Sequence, residues 1–242
     1  MTSDDQPSRL PISIADRLRL PVIAAPMLRV SGPELVIAAC RAGVIGAFPT
    51  ANARTSEDLD WWLTEITEAS HRADADRPVA PYAANLIIRQ PRLFDDVACL
   101  VRHRVELVIT SVGSPAPVVG PLHEIGAVVL ADVATLEHAR KAVAAGADGL
   151  VLLSAGAGGQ TGWLNPFAFV RAVREFFDGP LVLAGGISDG QGLLAAQVLG
   201  CDLAYLGTSF IATRESLAGA AYRDMLVEAT IDDVVLTKPK LL

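Results

Sequence analysis

The sequence predicts an α/β protein with the fold of a (β/α)₈ barrel, the TIM barrel. Its 242 residues are close to the ~250 that are typical of a one-domain barrel of this kind. Eight short apolar runs alternate, for the most part, with helical patterns, and this alternation indicates a parallel sheet. The glycine-rich loops come late in the chain, whereas an open doubly wound sheet carries its phosphate loop after the first strand. Here that first turn reads Pro26-Met27-Leu28-Arg29 and has no Gly-x-Gly.

Each apolar run is about as long as a buried strand and shows little alternation between apolar and polar residues. Strands of a parallel sheet have this character because helices cover both of its faces. The predicted strands, in order, are residues 22–25, 44–47, 82–87, 107–110, 127–131, 149–153, 181–184 and 203–206.

Residues that favour helix ends lie between these runs. The expected N-terminal signals are Pro33, Thr135, Asn165 followed by Pro166, and Ser188. The expected stops are Gly43, Gly146, Gly179 and Gly200. Residues 145–150 and 199–204 echo one another as helix stop, aspartate and strand start. We interpret this echo as two copies of one αβ unit.

Composition excludes several classes of protein. The net charge is −7 and no basic stripe is present, so nucleic acid is not an expected partner. No apolar run reaches the ~20 residues that span a bilayer, so no membrane partner is expected. Cys40, Cys99 and Cys201 are scattered without metal-ligand spacing. Reduced thiols and a polar N-terminus predict a cytoplasmic protein.

Three domain regions are expected. Residues 1–19 form an N-terminal tail and the entry to the barrel, with residues 1–9 as a loose tail. Residues 20–214 form the barrel, and residues 215–242 form a C-terminal helical segment. The oligomeric state stays open, a homo-oligomer included.

The loops after the last two strands predict a phosphate site. They contain Gly185 and Gly186, and then Gly207 and Thr208 with Ser209. Neighbouring loops seven and eight form the recurrent phosphate site of this fold. Glycines let backbone amides approach an anion, and the N-terminus of the next helix adds positive charge. The alternative is that these glycines only make tight turns.

The loop after strand six contains four glycines within residues 156–162. Such a backbone can lie against a flat ring or a substrate, and the alternative is a merely mobile loop.

Four motifs together resemble those of the nitronate monooxygenases, formerly called 2-nitropropane dioxygenases. They are Ala25-Pro26-Met27, Ala157-Gly158-Gly159, residues 184–190 and residues 205–213. The flavin-dependent enoyl-acyl-carrier-protein reductases share the pattern. The resemblance runs from about residue 20 to residue 228, and its last two motifs are the most specific.

This resemblance implies an enzyme that binds FMN. It assigns the flavin ring to the backbone of the first-strand turn and to Asn85, and the phosphate to the glycines of the last two loops. Asn85 has the alternative role of a polar residue on the barrel rim. Asp132, after strand five, faces the same end as a flavin or substrate contact, with a rim or cap role as alternative. The expected cofactor contacts are Ala25, Pro26, Met27, Asn85, Asp132, Ala157, Gly158, Gly159, Gly185, Gly186, Gly207 and Thr208.

The chain departs from the family pattern at Gln160, where many members carry histidine. That histidine can take the α-proton of a neutral nitroalkane, whereas an amide does not titrate near neutral pH. A nitronate is already deprotonated and needs no base. We therefore expect Gln160 to hydrogen-bond a nitronate substrate, and activity on neutral nitroalkanes to be poor.

A second departure is expected at the C-terminus. Family members usually continue with a helical segment that covers the flavin, and here the sequence ends at residues 238–242. A shortened lid would leave a bound flavin more exposed to water.

Three functions remain open at this point. The first is an FMN-dependent oxidation of alkyl nitronates by O₂ to a carbonyl compound and nitrite. The second is an NAD(P)H-dependent FMN reductase of enoyl thioesters or quinones, and the third is a flavin- or phosphate-binding barrel without turnover. The four histidines show no catalytic triad order and no metal pair, and Trp163 is a candidate for sheltering the ligand.

Overall fold

A computed structural model describes residues 8–71 and 78–237, and its eight parallel strands close into a barrel. Each strand pairs with the next, and β8 pairs with β1 through Tyr205 and Ile23. The strands are β1 Val22–Ala24, β2 Ile45–Pro49, β3 Tyr82–Ile87, β4 Leu107–Ser111, β5 Val128–Val133, β6 Gly149–Leu153, β7 Leu181–Ala184 and β8 Leu203–Leu206. The predicted TIM-barrel fold is confirmed.

Several strands extend further towards their C-terminal ends than the apolar runs predicted. β2 continues to Pro49, β4 to Ser111 and β5 to Val133. A strand is defined by its backbone ladder, which a polar residue such as Ser111 or Asp132 continues as well as an apolar one. These added residues face the end of the barrel where the glycine loops lie.

One short helix, α1, precedes the first strand, and the other helices follow strands and lie outside the barrel. They are α1 Ile12–Ala15, α2 Pro33–Arg41, α3 Ser56–His71, α4 Leu93–Arg102, α5 Ala116–Glu124, α6 Leu136–Ala144, α7 Pro166–Arg174, α8 Gly190–Leu199, α9 Thr208–Ile211 and α10 Ala220–Glu228. Short 3₁₀ turns occupy Thr50–Asn52 and Ile231–Asp233. Within the described ranges, no helix is both long enough and apolar enough to cross a membrane.

The predicted helix starts at Thr135 and Asn165 are confirmed, since both side chains accept a hydrogen bond from the first turn. The prediction for Ser188 is wrong. Asp189 caps α8 instead, because its carboxylate reaches the amide of Gly192 at 2.8 Å. The prediction that α7 ends near Gly179 is also wrong. It ends at Arg174, whose guanidinium binds the carbonyl oxygens of the loop that follows.

The two echoing segments adopt the same structure, which explains the repeat. Asp148 and Asp202 each precede a strand, and each carboxylate accepts a backbone amide from the preceding strand, that of Val129 at 2.7 Å and that of Leu181 at 2.9 Å. The amides of the two aspartates return a bond to the carbonyls of the same two residues. Each aspartate therefore joins the N-terminal ends of two neighbouring strands.

The barrel interior is filled by apolar side chains, and its N-terminal end is closed by α1. Ile23, Ile45, Ile109 and Leu130 pack inside the barrel together with Ile14 of α1. The segment expected to be a tail and entry therefore contributes a buried side chain to the core, and residues 1–7 lie outside the described ranges. Closing this end leaves the opposite end, where the strands terminate, for function.

Candidate functional site

Gly185 holds the loop after β7 tightly against the loop after β6. Its φ is +123°, and a Cβ there would lie 2.6 Å from Ser154 Oγ and 2.9 Å from the Ala157 amide nitrogen. No side chain fits this contact. Gly186, the next residue, has φ +69° and no atom within 4 Å of its Cβ position, so its backbone faces open space.

Loops seven and eight present backbone amides that are free to bind an anion. Ala184 and Tyr205 are paired on the neighbouring strands β7 and β8. Gly186 lies two positions after the first and Gly207 two positions after the second, so the two glycines lie side by side. Within residues 8–71 and 78–237, the amides of Gly186, Gly207 and Thr208 donate to no protein acceptor. We call these three amides, with Gly185, the glycine cradle.

The expected helix contribution to this cradle needs correction. The first turn of α8 is already occupied by the Asp189 carboxylate, which adds negative charge where positive charge was expected. The other helix, α9, has a single turn and begins at Thr208. The anion-binding capacity of the cradle therefore rests on its amides and on the exposed hydroxyl groups of Thr208 and Ser209.

The turn after β1 lies against the cradle. The position of a Cβ on Gly207 would be 3.4 Å from Met27 Sδ and 3.9 Å from Ala25 Cβ. This contact follows from the pairing of β8 with β1 that closes the barrel. Ala25 and Met27 are thus brought to the cradle, and Pro26 is part of the same turn.

Asn52, which sequence reasoning missed, holds this first turn in place. Its Nδ2 donates to the carbonyl oxygens of Met27 (2.9 Å) and Ser31 (2.8 Å), and its Oδ1 accepts the Arg29 amide at 2.8 Å. Arg29 has φ +62°, a conformation that costs energy in a non-glycine residue. The signal available in sequence was an asparagine just after a strand, which alone does not reveal a partner 25 residues away.

The loop after β6 is fixed at its base and open at its tip. Ser154 Oγ donates to the Ala184 carbonyl at 2.7 Å, and a Cβ on Gly162 would lie only 1.8 Å from the Leu153 carbonyl oxygen. At the tip, Gly158 and Gly159 have open space around them and Gln160 is exposed. Trp163, the candidate for sheltering a ligand, is 82% exposed.

Asn85 lies at the end of β3 and is almost wholly buried. Its Nδ2 donates to the Ile109 carbonyl at 3.0 Å and to Ser111 Oγ at 3.2 Å. These bonds to β4 fit the rim role, while its Oδ1 accepts no hydrogen bond from the described chain. The acceptor oxygen therefore remains free for a ligand.

Asp132 lies on β5 with its side chain on the barrel-interior face, since Val128 and Leu130 on alternate positions belong to the interior cluster. Its Oδ1 is buried and has no hydrogen-bond partner among the described residues. Burial raises the pKa of this carboxyl from 3.8 to about 7. Burial, with the charge of Asp132, also raises the pKa of Tyr205 on β8 well above 10.

A buried ion pair behind the site was also missed. The Asp96 side chain is fully buried, with Arg92 Nε 3.2 Å from its Oδ1 and Gln90 Nε2 2.6 Å from its Oδ2. Arg92 also donates to the carbonyl oxygens of Thr50 and Ala53. This network ties the loop after β3 to the turn after β2.

One histidine lies in a group of side chains of the kind that can bind a metal, which the sequence did not indicate. Asp60, Cys99 and His103 have ligand atoms within 4.8 Å of one another. The sequence does not reveal this group, because its residues come from α3 and from α4 with its C-cap, which are far apart in the chain. Arg102 Nη2 lies 3.2 Å from the same Asp60 oxygen that His103 contacts at 3.0 Å. A guanidinium therefore already occupies the position of a cation, and the cluster joins two outer helices. The side chain of His71 lies outside the described part of the structure.

Two surface depressions lie away from the cradle. One, of about 340 Å³, borders the turn after β2 beside Asn52 and Trp62. The other, of about 510 Å³, is apolar and lies between α7 and α8 beside Phe167 and Leu194.

The chain is thus a closed (β/α)₈ barrel with free backbone amides after its last two strands, at the recurrent phosphate position of this fold. A family model described as nitronate monooxygenase matches residues 92–241. The chain belongs to the nitronate monooxygenase family.

Individual relatives differ in what they are named for. A nitronate monooxygenase of Paraburkholderia phytofirmans is 31% identical, over 86% of this chain and 67% of its own length. A Mycobacterium tuberculosis protein named (3aS,4S,5R,7aS)-5-hydroxy-7a-methyl-1-oxo-octahydro-1H-indene-4-carboxyl-CoA dehydrogenase is 28% identical, over 95% of this chain. This chain spans 63% of the length of that relative. The structure of FabK from Thermotoga maritima superposes with a TM-score of 0.83 at 29% identity, covering 94% of this chain and 71% of that one.

Proposed function

We propose that this chain binds FMN and acts as a nitronate monooxygenase-like oxidoreductase, oxidising alkyl nitronates with O₂ to a carbonyl compound and nitrite. The observation that carries the proposal is the glycine cradle, where the amides of Gly186, Gly207 and Thr208 donate to no acceptor in the described chain. Family membership supports flavin as the ligand whose phosphate lies there. The small-molecule substrate and O₂ are its proposed partners.

The residues present fit an FMN molecule. Gly185, Gly186, Gly207 and Thr208 would hold the phosphate, because the amides of the last three and the Thr208 hydroxyl are free to donate and Gly185 lets the loop after β7 pack closely. The backbone of Ala25, Pro26 and Met27 would border the ring, with the Asn85 oxygen as an acceptor. The open loop of Ala157, Gly158 and Gly159 would cover it from the side. When bound, FMN supplies the electron transfer from nitronate to O₂.

Gln160 supports a substrate that arrives already deprotonated. It lies at the exposed tip of the loop after β6, and its amide can donate a hydrogen bond to an anionic nitro oxygen. It cannot remove an α-proton near neutral pH. The chain would therefore hold and orient a nitronate without taking a proton from it.

Nitrite release tests this proposal. With FMN-loaded protein, we expect nitrite from propionate-3-nitronate well above that from free FMN, and little from the neutral nitroalkane. Gln160→His should raise the rate on the neutral nitroalkane by roughly 10²-fold or more, the usual scale of general base catalysis. Equal wild-type rates on the two substrates would contradict the assigned role of Gln160.

A second candidate is an NAD(P)H-dependent FMN reductase of enoyl thioesters or quinones. The relative named as a carboxyl-CoA dehydrogenase, aligned over almost the whole chain, favours a thioester substrate. Anaerobic addition of NADH or of propionate-3-nitronate separates the candidates by which compound bleaches the flavin absorbance. Bound FMN with neither bleaching nor nitrite release would favour a binding protein without turnover.

The surroundings of the enzyme are part of the proposal. Free, buried Cys40, Cys99 and Cys201 support a reducing, cytoplasmic environment. Residues 215–242 are proposed as a helical segment of the lid region, and α10 supplies its described helix. Residues 238–242 lie outside the described ranges.

A further inference from the structure

Asp132 is a half-buried residue at the mouth of the barrel, and the surrounding protein does not explain the position of its carboxyl, one oxygen of which is buried. It faces the interior one layer above Leu130, and β4 and β6 on either side present Ser111 and Val151 at the same level. Its buried Oδ1 meets no donor in the described chain. An unpaired buried carboxylate is costly, so this group needs either a ligand or a proton.

Few charged groups face this carboxyl. Across the barrel, Tyr205 on β8 is the titratable group with which it interacts. The neighbouring positions on β4 and β6 carry no titratable side chain. The charged groups of the helices outside β5 and of the loops that directly follow the strands are His123, Glu124, Glu137, His138, Arg140, Lys141, Arg29, Arg54, Arg89, Arg92 and Asp189. Among these, none forms an ion pair or a hydrogen bond with Asp132.

We propose that Asp132 takes up a proton when the flat ring of FMN covers the barrel mouth, so that cofactor binding and protonation of this carboxyl are coupled. This inference rests on the proposed function, because it requires FMN at the cradle. A ring laid across the mouth removes the remaining water from the carboxyl, and desolvation disfavours its charged form. As a neutral acid, Asp132 can donate a hydrogen bond to a ring oxygen or nitrogen, which the carboxylate cannot do.

The proposal predicts the direction in which FMN affinity changes with pH. The carboxyl pKa, already raised to about 7 by burial, rises further when FMN binds. Between the two pKa values, binding consumes one proton from solvent, so FMN affinity falls as pH rises. The FMN phosphate, with a second pKa of about 6 for such groups, contributes in the opposite direction, because a cradle that favours the dianion releases protons.

The experiment is calorimetric titration of the FMN-free protein with FMN at pH 7.0, 7.5, 8.0 and 8.5. Each titration is repeated in two buffers of different ionisation enthalpy, which gives the number of protons taken up for each FMN bound. Asp132→Asn removes the titrating group, and Asp95→Asn removes an equal charge from an exposed position on α4. The carboxyl stretch in the infrared difference spectrum, with and without FMN, reports protonation of Asp132 independently of catalysis.

We expect wild type and Asp95→Asn to take up close to one proton per FMN near pH 8, with affinity falling up to tenfold per pH unit. Asp132→Asn should show neither the proton uptake nor the fall in FMN affinity with rising pH. FMN binding with equal proton uptake in Asp132→Asn and wild type would overturn the inference and leave the proposed function intact. Failure of the wild type to bind FMN would overturn both. If Asp132→Asn does not fold, the infrared signal of the wild type decides, since an unprotonated carboxyl after FMN binding contradicts the proposal.

Discussion

At the scale of single residues, Asp132 links the structure of the site to its stability. In the folded FMN-free protein its pKa is about 7, against 3.8 for the ordinary carboxyl. The folded state therefore binds more protons than the unfolded state between these values. The contribution of Asp132 to stability therefore falls as pH rises from about 4 to about 7 and stays constant above pH 7.

Replacing Asp132 by Asn should remove this pH dependence. We expect the free energy of unfolding of Asp132→Asn minus that of wild type to be ~2–4 kcal/mol higher at pH 8 than at pH 4.5. Urea unfolding of both proteins at the two pH values measures this difference, with Asp95→Asn as the surface control. A difference between variant and wild type that does not change with pH would show that the carboxyl is not a proton-binding group in the fold.

Residue-scale prediction from sequence had a clear limit. Gly185, Gly186, Gly207 and Thr208 could be chosen from the position of their loops, because the fold repeats that arrangement. Asn52 could not, since its three hydrogen bonds to the first turn depend on how two loops pack.

At the scale of elements, the structure shows how loops on the functional face are held together. Arg92, which is partly exposed, pairs with the buried carboxyl of Asp96 and joins the loop after β3 to the turn after β2. The loop after β6 is bound to β7 through Ser154, and the turn after β1 to the 3₁₀ turn through Asn52. The cradle is thus supported by loops that do not themselves contribute to it.

Removal of Arg92 should destabilise the protein strongly. In Arg92→Ala, Asp96 stays buried without its cation, and two backbone carbonyls lose a donor. We expect a loss of ~3–5 kcal/mol in the free energy of unfolding, as for other broken buried pairs. Arg89→Ala, an exposed arginine in the same loop, should change it by less than ~0.5 kcal/mol. Thermal and urea unfolding of both variants measures the contrast, and similar small losses would mean that the pair contributes little.

Elements were predictable where their signals are local. Thr135 and Asn165 bond amides within three residues, and Pro33 begins α2 as its position suggested. The end of α7 was not predictable, because Arg174 stops it by binding distant carbonyls and Asp202. The start of α8 differed by one residue, because two adjacent side chains, Ser188 and Asp189, are both good caps.

At the scale of the whole molecule, the barrel organises stability and function at opposite ends. Asp148 and Asp202 join strand starts at one end, where α1 closes the interior. The glycine cradle, Asn85 and Asp132 lie at the other. The fold was predictable because eight buried strands with intervening helices allow few parallel arrangements. How far the C-terminal segment covers the mouth depends on tertiary packing and was not predictable from pattern.

The most direct test of the account is the absorption spectrum of the purified protein, loaded with FMN and then desalted. We expect a flavin band that survives desalting in wild type and in Gly126→Glu. Gly126 is the matched control. Like Gly186 it has a positive φ, here +78°, and no atom within 4 Å of its Cβ position, but it follows α5 at the other end of the barrel. Gly186→Glu, which places a carboxylate in the cradle, should lose the band. Retention of FMN by Gly186→Glu at the wild-type level, or no band in wild type, would contradict the assignment of the cradle.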